Sequence, residues 1–351
     1  MRILHVITSL RTGGAEKLMV DLLPRMKAQG HEVNLCVFDG VSTPFYDEIE
    51  RRGVKVIPLG HSVYSLFNVL KLIPLMRGYD IVHSHNTACQ YFVAIASLFT
   101  KCHIFTTEHN TSNRRRNGWW RMLDRWMYGQ YEKIVCISEL TRQNLLQHIG
   151  VSYEKKCPVI YNGIDLSVFH SVSHSSVQSD KKKILMVSAF RAQKDQKTLI
   201  RAMRDLPSKY VLELAGGGDE HLIMECEQLV KELNLGERVK FLGVRTDIPS
   251  LLANADVVVL SSHYEGLSLS SLEGMASGKP FVASDVEGLR DIVGGYGVLF
   301  PHEDDKALAN EIQKLCEDEA YAKIIAEKCQ QRAKMFDIEV MTRYYLELYQ
   351  K

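Results

Sequence analysis

The sequence predicts an α/β protein of two doubly wound parallel-sheet domains, and three observations carry that expectation. Short apolar runs rich in β-branched residues alternate with segments of helical spacing, the mark of a parallel sheet covered on both faces. The alternation occurs twice, on either side of a polar, serine-rich stretch at 170–183 that has no apolar period and reads as an exposed linker or loop. The length, 351 residues, suits two domains, either able to bury a sizeable core.

Ile3–Ile7 opens the first half as a strand and leads through Gly13-Gly14 into a helix over Ala15–Gln29. Glu32–Phe38 and Val54–Pro58 follow as strands, then a helical stretch at Leu66–Met76. Ile81–His83, His103–Thr107 and Lys133–Ile137 continue the set, and Val159–Tyr161 closes it as a last strand. The second half reads as strands at Ile184–Ser188, Tyr210–Ala215, Val239–Leu242, Asp256–Ser261, Pro280–Ser284 and Gly297–Phe300. A final helix, Ile338–Tyr349, is rich in aromatic residues. Three basic residues at 181–183 read as part of the solvated loop before the second half.

Charge and cysteine usage narrow the function. Forty-three basic side chains against 42 acidic ones leave no global field, so a nucleic-acid partner is not expected. The 8 cysteines are scattered, without Cys-x-x-Cys or a zinc-like cluster with histidine, and read as free buried thiols in a reducing cytoplasm. Met1–Thr8 runs straight into a strand pattern rather than a signal peptide. The apolar stretch Tyr91–Phe99 is too short to span a bilayer, so a soluble or peripheral protein is expected. Segment 113–128 mixes arginines with Trp119, Trp120 and Trp126. It suits either a membrane interface or an ordinary helix with Trp120, Leu123 and Met127 in the core.

The candidate site lies at Ser261–Pro280. The apolar run Ala255–Leu260, a turn at Glu265-Gly266, and Leu269, Leu272 and Met275-Ala276 at helical spacing give strand, sharp turn, helix. Glu265 then sits in the turn at a strand's carboxyl end, Glu273 about one turn into the helix, and the N–H groups of residues 268–270 face the same crevice, where an anion is favoured. Two carboxylates flanking a phosphate cradle suit a ligand with hydroxyls at both ends and phosphate between, such as a nucleotide diphosphate sugar. Gly13-Gly14, at the end of the first strand, also lets backbone approach a diphosphate closely.

The frame Glu265-Gly-Leu-Ser-Leu-x-x-x-Glu273-x-Met-Ala-x-Gly-x-Pro280 resembles the signature of family 4 retaining glycosyltransferases, which have the GT-B fold. The resemblance extends in family order through Gly13–Glu16, His83–His85, Thr107–Asn110, Ile137-Ser138, Tyr161–Asp165, Lys194, Leu214–Gly218 and Phe241–Gly243, spanning roughly residues 1–300. It implies two Rossmann-like domains facing across a cleft, an acceptor domain at 1–168 and a donor domain at 169–335, with a last helix at about 336–351 packing back on the first. It further implies that Glu265 touches the donor sugar and Glu273 holds the ribose. The donor site would include Gly13, Gly14, Gly216, Gly266, Leu267, Ser268, Leu269 and Ser270. Lys194 is the expected cation at the diphosphate. An arginine often stands five residues before that lysine; Ala189 is there instead, and Arg191 either takes over or is an ordinary surface residue.

By the same resemblance His109 reaches the donor sugar and diphosphate, and Asn110 stands beside it on the acceptor side. Glu108 and His109 point to opposite faces of a regular strand, whereas His83 and His85 share one. His85 either lines the acceptor site or is structural. The implied reaction is retaining transfer of a hexose-type sugar from a nucleotide diphosphate donor, UDP-sugar favoured, to a sugar or lipid-linked sugar in bacterial glycan synthesis. It needs no metal, cofactor or protein nucleophile. The place implied is the cytoplasm or the inner face of the plasma membrane. A nucleotide-sugar epimerase or hydrolase of the same fold, and a non-catalytic nucleotide-sugar-binding protein, are the alternatives.

Overall fold

The structure is a computed structural model and describes residues 1–11, 13–60, 62–109, 120–170 and 180–350. The chain divides into two units, Met1–Gly163 with Ile338–Lys351, and Ile164–Asp337. The sequence reading set these boundaries after residues 168 and 335. They fall at 163 and 337 because Ile164 forms a parallel bridge with Asp337 and its N–H donates to Phe336 O at 2.9 Å, tying both ends of the second unit together.

In the first unit, β1 (Arg2–Ile7), β2 (Glu32–Val37), β3 (Lys55–Pro58), β4 (Ile81–His85), β5 (His103–Glu108) and β6 (Lys133–Cys136) form a parallel sheet in the order β3-β2-β1-β4-β5-β6. Ile3, Leu4, Val6 and Ile7 are fully buried, the continuous apolar run of a strand covered on both faces. One face packs on the helices Gly14–Ala28 and Ile338–Gln350, the other on Phe67–Met76, Thr87–Ser97 and Trp120–Gln130. Tyr349 OH lies 2.7 Å from His83 Nδ1 and Tyr345 OH 3.0 Å from Thr107 Oγ1, which fastens the final helix to this sheet.

The second unit repeats the design. Strands β7 (Lys182–Val187), β8 (Tyr210–Ala215), β9 (Val239–Gly243), β10 (Val257–Leu260), β11 (Phe281–Ser284) and β12 (Val298–Phe300) lie parallel in the order β12-β11-β10-β7-β8-β9. Each sheet reverses its winding once, between β1 and β4 and between β7 and β10, and ligands of such folds bind outside the carboxyl ends of the strands at that point.

Two sequence expectations are corrected. Val159–Tyr161 is not a strand; only Val159 bridges Cys136, since the N–H of Cys136 donates to Pro158 O before the chain turns away. Lys182 and Lys183 belong to β7 rather than a solvated loop. Asp256 accounts for this, accepting the Lys183 N–H at 2.7 Å and lying 3.6 Å from Lys182 Nζ. The part of the serine-rich stretch at 171–179 lies outside the described residues.

Candidate functional site

At the reversal point of the second sheet, the segment leaving β7 is stitched to the one leaving β10. Asp195 N donates to Ser261 O at 3.1 Å, His263 N to Gln193 O at 2.9 Å, and Ser261 Oγ to Asp195 O at 2.7 Å. Lys194 N closes a turn onto Arg191 O at 2.8 Å. This backbone brings Lys194 and Glu265 together as an ion pair whose side chains are only 11% and 4% exposed. The Glu265 carboxylate also accepts from Ser262 Oγ at 2.8 Å and Gln193 Nε2 at 2.9 Å. A buried carboxylate with several charged and neutral donors is held in one orientation. Lys194 carries three N–H donors, so its bond to Glu265 leaves others for a second anion.

Gly288 makes this turn possible. At φ +83° it lies so close that a Cβ there would stand 2.2 Å from Glu265 O, closer than non-bonded atoms allow. Gly216 does the same for the β7 end. A Cβ on Gly216 would meet Ser188 O at 2.0 Å, and Phe190 N donates to Gly217 O at 2.9 Å, fixing the path of residues 188–190. Gln193, Ser262 and Gly288 were not singled out by the sequence reading. The only available signal was that Ser262 sits three residues before Glu265 in the motif.

Beyond Glu265, Gly266 and buried Leu267 lead to Ser268, the N-cap of the helix Leu269–Ala276. The Ser268 side chain makes no cap bond, so the amides at Leu269 and Ser270 keep the positive end of the helix without a side-chain cap. Leu272, Met275 and Ala276 bury the opposite face, and Gly274 lets the helix approach the sheet, where a Cβ would meet the Phe281 ring at 2.6 Å. Glu273, half-buried, stands one turn in. Arg191 is exposed beside the Lys194 turn.

The first unit gathers a different group. Register pairs His5 with His83 and His85 with Thr107. The His83 and His85 rings stack at 4.7 Å between centroids, as strand alternation requires. His5 Nδ1 lies 2.9 Å from His85 Nε2, and His85 Nδ1 lies 3.0 Å from His109 Nε2. His85 is fully buried and its ring is engaged on both sides. Burial lowers His5 to about 3 and His109 to about 4, and lowers His83 and His85 well below the usual histidine value, with neighbouring histidines adding to the last two. Glu108 faces the other side and accepts from Tyr128 OH at 2.5 Å. Asn110 lies outside the described residues. Gly13 and Gly14 begin the helix after β1 with no side-chain cap. A Cβ on Gly13 would touch Glu16 Oε2 at 2.1 Å, so an anion at this terminus would meet a like charge.

Residues 113–119 of the arginine–tryptophan segment also lie outside the described residues. In the helix Trp120–Gln130, Asp124, Met127 and Tyr128 are buried, while Trp120, Met122 and Trp126 are 40%, 76% and 41% exposed. The expectation of Trp120 in the core is thereby corrected: it stands at the exposed start of the helix, between exposed Arg121 and the undescribed residues. The helix Thr87–Ser97 packs against this helix and against Phe67–Met76. Leu66, Phe67, Leu70, Leu98 and Phe99 on those neighbours are also exposed.

The family Glycosyltransferase Family 4 matches residues 12–168, and the family Glycosyl transferases group 1 matches residues 170–334. The chain is 26% identical, over 94% of each chain, to an N-acetylgalactosamine-N,N'-diacetylbacillosaminyl-diphospho-undecaprenol 4-alpha-N-acetylgalactosaminyltransferase of Campylobacter jejuni. It is 24% identical, over 95% of its own length and 92% of the other, to a UDP-Gal:alpha-D-GlcNAc-diphosphoundecaprenol alpha-1,3-galactosyltransferase of Escherichia coli. Among solved structures, Anabaena Alr3699/HepE in complex with UDP-glucose superposes with a TM-score of 0.86 at 24% identity, covering 99% of both chains. That likeness shows the fold, which is GT-B.

Proposed function

Because this chain belongs to glycosyltransferase family 4, whose two matched regions cover residues 12–168 and 170–334, we propose that it moves a hexose-type sugar from a UDP-sugar to a lipid-linked glycan, with retention. The observation that carries this is the Lys194–Glu265 pair, held by Gln193 and Ser262 at the reversal point of the second sheet and followed by the uncapped helix start at Leu269. Glu273 takes the ribose hydroxyls and Glu265 a hydroxyl of the donor sugar. Lys194 and the amides of Leu269 and Ser270 take the diphosphate, with Arg191 as a second cation. As the sugar–phosphate bond breaks, negative charge grows on the diphosphate, and fixed positive groups there lower the barrier. A donor phosphate oxygen accepts the proton of the acceptor hydroxyl. Double displacement needs a carboxylate free to attack the anomeric carbon. Glu265 is engaged by three side chains, and Glu108 is turned to Tyr128.

The acceptor reading draws on the relatives' undecaprenol diphosphate substrates and on the exposed apolar residues of three neighbouring helices in the first unit. Among the described residues no helix is long and apolar enough to cross a membrane. Aromatic and aliphatic side chains beside Arg121 and Arg125 suit contact with an anionic bilayer surface. The protein is therefore expected to float with anionic but not zwitterionic vesicles. The variant Phe67→Ser/Trp126→Ser should stay in the dense fraction; equal flotation of both would reject this surface.

Incubation with UDP-sugars, with and without a polyprenyl-diphosphate sugar acceptor, tests the reaction itself. Acceptor-dependent release of UDP with an α-linked product is expected without added magnesium or manganese, and unimproved by either. Altered free sugar without acceptor would replace transfer by epimerisation or hydrolysis, and binding without turnover would leave a non-catalytic receptor.

A further inference from the structure

We infer that the loops following β7, β10 and β12 form a site for a zinc-class divalent cation, with Asp195, His263, His302 and Glu303 as ligands. One ligand atom from each of the four lies within 4.8 Å of all the others. His263 Nδ1 is 2.9 Å from His302 Nε2 and 3.3 Å from Glu303 Oε1, and His302 Nε2 is 4.0 Å from the same carboxylate oxygen. Four nitrogen and oxygen ligands at zinc distances stand about 3.3–3.6 Å apart along the edges of a tetrahedron. The separations among His263, His302 and Glu303 run from 2.9 to 4.0 Å, around that range, and the Asp195 atom lies within 4.8 Å of all three. Two imidazoles with two carboxylates are a donor set for zinc, and their two negative charges neutralise it.

Asp195 supplies the second, independent observation. One oxygen, Oδ1, accepts the Thr198 N–H at 3.1 Å and caps the helix Gln196–Asp205. The other, Oδ2, is buried without a hydrogen-bond partner among the described residues, in a side chain whose residue is 5% exposed. A buried carboxylate oxygen left unpaired is costly. A hydrogen bond between the two imidazoles explains His263 and His302 but does nothing for Asp195; a cation shared by all four explains every member. The metal would clamp the Gln193–Asp195 turn to the Ser261–His263 segment and to the loop beyond the edge strand β12. None of the four residues is assigned to the donor, so the inference stands apart from the transfer reaction.

The test uses the full chain, treated with chelator, dialysed and titrated with zinc alone. One zinc per chain is expected, with a rise in melting temperature and, on cobalt substitution, the intense visible bands of a tetrahedral centre. His302→Ala, in an exposed loop, should weaken zinc at least about 100-fold, because even outer-shell partners are worth 10–100-fold. Asp195→Asn retains an oxygen for the Thr198 amide, so it should weaken zinc while leaving the metal-free melting temperature near that of the parent. Absence of stoichiometric binding would overturn the site. Zinc affinity unchanged by Asp195→Asn would reduce it to an adventitious histidine pair and overturn it equally.

Discussion

Lys194→Ala is expected to lower turnover at saturating donor by about 10²–10³-fold, the usual consequence of removing one fixed donor from a developing negative charge. The same substitution carries a folding cost, because the Lys194 and Glu265 side chains are largely shielded from solvent and Glu265 would lose its cationic partner. Breaking a buried ion pair costs about 3–5 kcal/mol, and the remaining bonds from Ser262 and Gln193 put this case toward the lower end. The two effects separate in the Glu265→Gln background, where no ion pair remains to be broken. There Lys194→Ala should cost little further stability in a urea titration and still remove most of the residual turnover. Equal turnover of Glu265→Gln and the double variant would show that the lysine acts only by holding Glu265.

Acid should unfold the first unit well before ordinary carboxylate protonation accounts for it. His5, His83, His85 and His109 are held neutral by burial, with His5 lowered to about 3 and His109 to about 4. Unfolded histidine protonates near 6.5. Between that value and about 4 the unfolded chain therefore binds protons that the folded unit refuses, so stability falls as pH falls; above about 7 neither state is charged and stability is flat. Each fully neutral histidine contributes about 1.4 kcal/mol per pH unit within the window. Four together are large against a typical domain stability of about 5–15 kcal/mol. All 3 tryptophans, Trp119, Trp120 and Trp126, belong to the first unit, so their fluorescence follows it alone. The urea midpoint should hold steady from pH 8 to 7 and drop steeply below about 6.5; a midpoint unchanged down to pH 5 would mean that the cluster takes up protons while folded.

The sheets were legible because buried parallel strands write themselves as continuous apolar runs. The first six strand expectations of the first half and all six of the second lie on observed strands, apart from shifts at the ends. Val159–Tyr161 failed because a short apolar run does not distinguish a strand from a single bridge. Lys194 was singled out by the family resemblance, whereas the positions of Glu265 before the helix and Glu273 within it were legible because turn and helix signals bracket them. Gln193, Ser262 and Gly288 were not, because their meeting with Glu265 depends on β7 lying beside β10, a neighbour relation across some 70 residues that no local pattern carries. The histidine stack was half visible. Alternation put His83 and His85 on one face, but His5 joins them only through the β1–β4 register. The Lys194–Glu265 ion pair was also unforeseen, since both side chains were read as separate contacts to a donor.

Calorimetric titration of UDP and of the accepted UDP-sugar into Glu265→Gln and Glu273→Gln tests the proposed donor site most directly. If Glu273 holds the ribose, Glu273→Gln weakens both ligands by about 1.5–3 kcal/mol, the worth of a hydrogen bond to a charged group. If Glu265 holds the sugar, Glu265→Gln leaves UDP affinity near that of the parent and weakens only the sugar-bearing donor. Equal weakening of UDP and UDP-sugar by Glu265→Gln, or unchanged UDP affinity in Glu273→Gln, would contradict this placement of the donor.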